Sequence, residues 1–235
     1  DENGMYTAQG HWVEALGEAD AESAARFAEK LKKLKADLLT ENNRTFYAIV
    51  PDKGYYLPGE VTPATDYAAL FTAADEGLAG SGIEKIDLTG ALTLEDYYFT
   101  DSHWRQENLF ETAGVICDAL GVTPPNPEDY TLTALERPFY GVYYGQAALP
   151  MDPEPLNWVT WEGWEDIRVQ IMDTNTVTGL YNEEKLSSRD PYESYLSGNV
   201  AVEVITNPNA ETNRELVVFR DSFGSSLIPL LAEAY

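Results

Sequence analysis

Leu216-Val217-Val218-Phe219-Arg220-Asp221-Ser222-Phe223-Gly224 is the stretch that decides how this chain folds. Its first four residues are apolar and partly β-branched, the composition of a buried strand. Gly224 permits a sharp turn. From Ser225 the spacing is helical: Leu227, Leu230, Leu231 and Ala234 recur at three and four residues, and Pro229 is tolerated in a first turn. A strand that feeds a helix puts Ser222 at the strand's carboxyl end, the edge where open α/β sheets bind ligands. The N–H groups and dipole of the helix start suit a developing oxyanion. Ser222 therefore reads as a nucleophile. The plainer alternative is that Ser222 or Ser225 only caps the helix.

Working outward, the N-terminal part alternates. Asp1 to Gly17 is polar and aromatic and reads as a docking arm. Asp20 caps a helix whose apolar face is Ala24, Phe27, Ala28, Leu31, Leu34 and Leu38. Thr45 to Val50 predicts a strand, Tyr67 to Leu78 a second helix, and Ile83 to Leu88 a second strand. Helix–strand–helix–strand is the pattern of an α/β sheet with parallel strands. A further helix carries Leu109, Ala113, Ile116, Cys117 and Leu120, with Gly121 as its stop. Cys117 lies on that apolar face and reads as a core thiol. From about 137 to 207 short strand-like pieces alternate with turns, a β-rich insertion in one α/β domain spanning 1–235. The pieces are Phe139 to Tyr144, Trp158 to Trp161, Ile167 to Met172 and Val200 to Ile205. Trp158, Trp161 and Trp164 offer either a stacking face for a sugar or core packing.

Composition removes several classes of function. The chain has 235 residues, 44% hydrophobic and 12% aromatic, enough for a packed core. Its net charge of −25 argues against nucleic acid and anionic lipid surfaces as partners. The single cysteine excludes an intrachain disulfide. No apolar run reaches the ~18 residues of a membrane span. There is no His-Glu-x-x-His, Cys-x-x-Cys or EF-hand pattern, so no metal is expected. Nor is there a Gly-rich phosphate loop, a dinucleotide fingerprint or a G-x-S-x-G elbow, and no cofactor is expected.

A serine nucleophile needs a base, and the base needs an orienting acid. The chain has two histidines. His11 lies in the terminal arm. His103 lies in a loop two residues after Asp101, between an aromatic strand end and a helix. His103 is the better base, and Asp101 can accept its other N–H.

Thr100-Asp101-Ser102-His103-Trp104, followed far downstream by Asp221-Ser222-Phe223, resembles the DHHW proteins, relatives of the SGNH-type acetyltransferase domains of alginate O-acetylation proteins. Ile49 to Tyr56 with its Pro-x-Lys turn, Phe139 to Tyr144, and Asp190 to Leu196 extend the resemblance from about Tyr47 to the C-terminus. Ser102 stands where the family name implies His, and Arg105 where Thr is expected. The chain stops thirteen residues after Ser222, whereas the family usually continues, so a trimmed or short member is expected. The resemblance implies a three-layer α/β/α flavodoxin-like (SGNH hydrolase-like) fold. It implies Ser222 as nucleophile, His103 as base and Asp101 as orienting acid, with the Ser222 N–H in the oxyanion hole. Lys53, Trp104 and Arg220 are the candidate substrate-binding residues by position. The implied activity is serine-dependent acyl transfer on carbohydrate, as O-acetyltransferase or acetylesterase. The setting would be the cell envelope, outside the cytoplasm, with a membrane anchor outside this chain and an acetyl-donor partner protein. Two other readings stay open: a non-catalytic glycan-binding or scaffold protein that keeps the fold, and a serine esterase for other esters.

Overall fold

A computed structural model describes residues 4–18 and 20–235. The chain divides into two compact units, Asp1–Gly90 and Ala91–Tyr235. The fold is mixed α/β with small sheets, each of two or three strands. Among the described residues no helix is long and apolar enough to cross a membrane.

Where the sequence suggests a docking arm over Asp1 to Gly17, whose first three residues lie outside the described ones, the first unit has a hairpin: β1 (Met5–Ala8) pairs antiparallel with β2 (His11–Glu14). Gln9 and Gly10 both take positive φ, the backbone a two-residue turn needs to match strand twist. Met5, His11 and Val13 are buried by it, which is why the segment's polar composition misled. Then α1 (Ala21–Leu38) starts at Asp20, whose Oδ1 accepts the Ser23 N–H at 3.0 Å. β3 (Phe46–Ala48), α2 (Tyr67–Leu78) and β4 (Glu84–Ile86) follow, and β3 and β4 are parallel, as the alternation predicts. Ala28, Tyr47, Leu78 and Ile83 form the core between helices and strands. A Cβ on Gly77 would lie 2.6 Å from the Ala28 Cβ, so a small residue is needed where α1 and α2 meet. The outer part of the expected α1 face stays in solvent: Leu38 is exposed and Phe27 nearly half so.

The second unit holds α3 (Phe110–Leu120), closed by Gly121 at φ 68°, and a ribbon of β5 (Tyr130–Phe139) and β6 (Glu154–Trp161), antiparallel. The β-rich region thus begins at Tyr130, earlier than expected. Between those strands lies α4 (Val142–Ala147), where the sequence predicts strand. The N–H groups of Val142 and Tyr143 are taken by Asp101 Oδ2 and the Thr100 carbonyl, which leaves no ladder to join. β7 (Arg168–Ile171) sits between β8 (Thr176–Thr178) and β9 (Glu203–Thr206), and α5 (Gly224–Leu231) completes the unit. Trp158 and Trp161 are core residues alongside Tyr98, Phe139, Leu156 and Tyr195. Trp158 stacks on Tyr181 at 5.0 Å and 9°, and Trp164 packs against the same tyrosine. Burial thus removes Trp158 and Trp161 from a sugar face, while Trp164 is part-buried against the same core.

Leu216 to Phe219 forms no strand. Val217 is 79% and Phe219 73% exposed, and among the described residues the segment joins none of the sheets. Apolar composition favours a strand only where a neighbouring backbone supplies the hydrogen bonds.

Candidate active site

The segment 99–104 is held before it acts. Glu154, the buried first residue of β6, accepts the N–H groups of Phe99 (2.8 Å) and Thr100 (2.7 Å) and the Thr100 hydroxyl (2.7 Å). It also pairs with Arg105. On the other side Gly141 presses against the same turn. A Cβ there would lie 2.2 Å from the Thr100 carbonyl oxygen and 2.5 Å from the Asp101 Cβ, so only glycine fits. We expect Glu154→Ala to cost about 3–5 kcal/mol, the scale of breaking a buried ion pair, and to release the loop. Chemical denaturation checks the first effect. An unfolding free energy within about 1 kcal/mol of the parent's would contradict it.

This turn aims Asp101 and His103. Asp101 Oδ1 accepts both the His103 N–H (2.9 Å) and, at 2.6 Å, the ring Nδ1–H. Its Oδ2 accepts the Val142 N–H at 2.7 Å. Burial pushes the Asp101 carboxyl up, but the hydrogen bonds and charge of His103 and the Val142 N–H outweigh it and hold it below the usual carboxylate range. With Nδ1 facing a carboxylate, the proton belongs on Nδ1 and Nε2 becomes the acceptor. The Ser222 Oγ lies 2.7 Å from that Nε2. The sequence pointed to these three residues, and the structure brings them into one hydrogen-bonded line. Ser222 is exposed, while Asp101 and His103 are buried.

The His103 ring is clamped from two sides. Tyr192 stacks on the His103 ring at 4.0 Å and 15°, and Phe223 tilts against it at 5.0 Å. The Tyr192 hydroxyl bonds the Ser226 Oγ at 2.8 Å, and the Trp104 Nε1–H donates to that Oγ at 2.9 Å and to the Phe223 carbonyl at 3.0 Å. Gln106 donates to the Ser226 carbonyl at 2.9 Å. Three side chains near the base thus grip the start of α5, which carries Ser222 just ahead of it.

The remaining candidates are placed as follows. Trp104 is fully buried and spends its N–H on the start of α5. Arg220 pairs with Glu203 and donates to the Ser225 Oγ at 2.8 Å. Lys53 lies in the first unit, 2% exposed, and its Nζ donates to the Trp12 carbonyl at 2.9 Å. Cys117 is buried, with burial and then Asp118 pushing its thiol up to about 11, which fits a core residue. Glu154, Gly141 and Tyr192 were not singled out as site residues from the sequence, although Gly141 and Tyr192 lie in the segments Phe139 to Tyr144 and Asp190 to Leu196 that carried the resemblance.

Three solved structures share this arrangement of the chain. A DHHW family protein from Eubacterium siraeum DSM 15702 superposes with a TM-score of 0.80 at 20% identity, covering 98% of this chain and 79% of that one. Bacillus cereus PatB1 gives 0.71 at 17% identity, covering 98% and 84%. PatB1 with a sulfonyl adduct gives 0.72 at 18%, covering 98% and 82%. No family model and no curated protein sequence matches the chain. The resemblance to the DHHW proteins read in the sequence therefore holds at the level of the fold.

Proposed function

We propose that this protein is a serine-dependent acyltransferase or esterase of SGNH type, acting on O-acetyl groups of a cell-envelope or extracellular glycan. The observation that carries the reading is the unbroken line Asp101–His103–Ser222, at 2.6 and 2.7 Å, ending on an exposed hydroxyl. The three-layer α/β/α arrangement belongs to the same proposal. It is supported by the parallel β3–β4 pair and by the likeness to the DHHW structure.

The chemistry follows from the geometry. Ser222 Oγ attacks the carbonyl carbon of an acetyl ester as His103 Nε2 takes its proton. Asp101 stabilises the imidazolium so formed and keeps its orientation. The Ser222 N–H, just ahead of α5, is the donor we assign to the oxyanion. The tetrahedral adduct expels the alcohol, which receives the proton from His103 and leaves an acetyl-Ser222 ester. A sugar hydroxyl or water then gives its proton to His103 and attacks the acetyl carbon, and as the acyl–Oγ bond breaks His103 passes that proton to Ser222 Oγ.

Hydrolysis of 4-nitrophenyl acetate, with and without added oligosaccharide, tests the reading. The expected result is release of nitrophenol with an acetylated protein detectable by mass spectrometry. Partition of the acetyl group to the sugar then marks a transferase. A protein that neither hydrolyses the ester nor becomes acetylated would contradict the proposal and favour a binding role.

A further inference from the structure

We infer that Tyr140 and Tyr144 form the glycan-stacking subsite beside this triad, and that the glycan is uncharged. The inference rests on the acyl-transfer reading and adds the substrate class to it.

Of the tryptophans that suggested a sugar face, Trp158 and Trp161 are in the core and Trp164 is part-buried against it, so an aromatic platform is sought elsewhere. Tyr140 and Tyr144 are 41% and 44% exposed, and their rings lie 4.8 Å apart at 44°. Large aromatics left half in water beside a reactive centre call for an explanation. An aromatic ring carries a flat apolar face, and a tyrosine adds a polar tip. That combination suits the C–H face and hydroxyl rim of a pyranose.

Position ties the pair to the chemistry. Tyr140 precedes Gly141, whose backbone is in van der Waals contact with Thr100 and Asp101. Tyr144 lies on the first turn of α4, whose leading residue, Val142, donates its N–H to Asp101 Oδ2. Phe99, also part-exposed, comes from the facing strand of chain, two residues before Asp101, with the Arg105 guanidinium over its ring at 5.0 Å. Two touching segments therefore expose aromatic rings and hold the triad's acid through their backbone.

Charge selects the class of glycan. The chain carries −25 overall. Arg105 and Arg220, the arginines bonded around the triad's segments, are each committed to a carboxylate, Glu154 and Glu203. Asp190 caps the turn that carries Tyr192, accepting the Tyr192 N–H at 3.0 Å. A polyuronate would enter a field of its own sign, whereas a neutral chain pays no such repulsion.

The test is calorimetric binding to the full chain carrying Ser222→Ala, which blocks turnover. The probes are partially acetylated xylo-oligosaccharides as the neutral glycan and acetylated oligo-alginate as the anionic one. The neutral probe is expected to bind more tightly. Tyr140→Ala/Tyr144→Ala should weaken it at least tenfold, and Tyr140→Phe/Tyr144→Phe, which keeps both rings, should restore most of it. With Ser222 intact, the alanine pair should lose more on the glycan than on 4-nitrophenyl acetate. No binding of the neutral probe, tighter binding of the alginate, or an alanine pair within twofold of its parent would each overturn the inference. If the alanine pair does not fold, Tyr144→Ala alone is read by the same criteria. Ester hydrolysis failing while ring-dependent glycan binding persists strikes the catalytic reading instead.

Discussion

Ser222→Ala is expected to lower 4-nitrophenyl acetate hydrolysis by at least about 10³-fold with no change in fold. The hydroxyl is exposed and its partner is the His103 ring, so truncation removes the attacking atom and leaves the packing alone. The Ser225 N–H bond to the Ser222 carbonyl at 3.1 Å is a backbone bond and survives the change. A residual rate above that in water should remain, because positioning and oxyanion donors act without the nucleophile. Steady-state rates with circular dichroism on the same sample check it. A variant within tenfold of the parent would mean that another group attacks the ester.

Asp101→Asn is expected to cost about 10⁴-fold in kcat, the scale set by the equivalent change in a serine protease triad. The two carboxylate oxygens of Asp101 are both acceptors here, Oδ1 for His103 and Oδ2 for Val142. An amide offers one acceptor oxygen, so one of those N–H donors must face an NH₂ group. If that donor is His103 Nδ1, the ring proton moves to Nε2 and the base is lost. If it is Val142 N, the contact of α4 with the loop loosens. The variant should also alter stability with pH in a defined direction. The Asp101 carboxyl is held below its unfolded value of about 3.9. Its stabilisation is therefore fully present above about pH 4 and lost as pH falls through the lower folded value. The stability gap between parent and variant should be widest near neutrality and close in acid. A gap that widens as pH falls would contradict the assignment.

The hydrogen-bonded line Asp101–His103–Ser222 was legible because much of it is local. In Asp101-Ser102-His103 the carboxylate accepts the backbone N–H two residues on, a turn that short polar side chains make by themselves, and the ring falls on the same oxygen. Asp221 repeats the device ahead of α5 by accepting the Phe223 N–H at 3.0 Å. What joins the two turns is not local. Glu154 reaches Thr100 across 54 residues, and Tyr192 meets His103 only because the turn after Asp190 folds onto the base. One sequence carries no record of such pairings. The parallel β3–β4 unit was readable from its alternation of helix and strand, since each element buries one face in its own period. Leu216 to Phe219 failed for the converse reason: its residues favour a strand, but a strand also needs a partner, and composition does not say whether there is one. The tryptophans show the same limit. Their spacing is equally consistent with a platform and a core, and burial decided for the core at Trp158 and Trp161.

The most direct test of the central claim is covalent capture with phenylmethylsulfonyl fluoride, the site of attachment mapped by peptide mass spectrometry. A sulfonyl electrophile reports the activated nucleophile itself, independently of which glycan or ester is the true substrate. The account predicts a single adduct on Ser222, formed much more slowly in His103→Ala. An unmodified Ser222 with label on another residue, or labelling indifferent to His103, would contradict it.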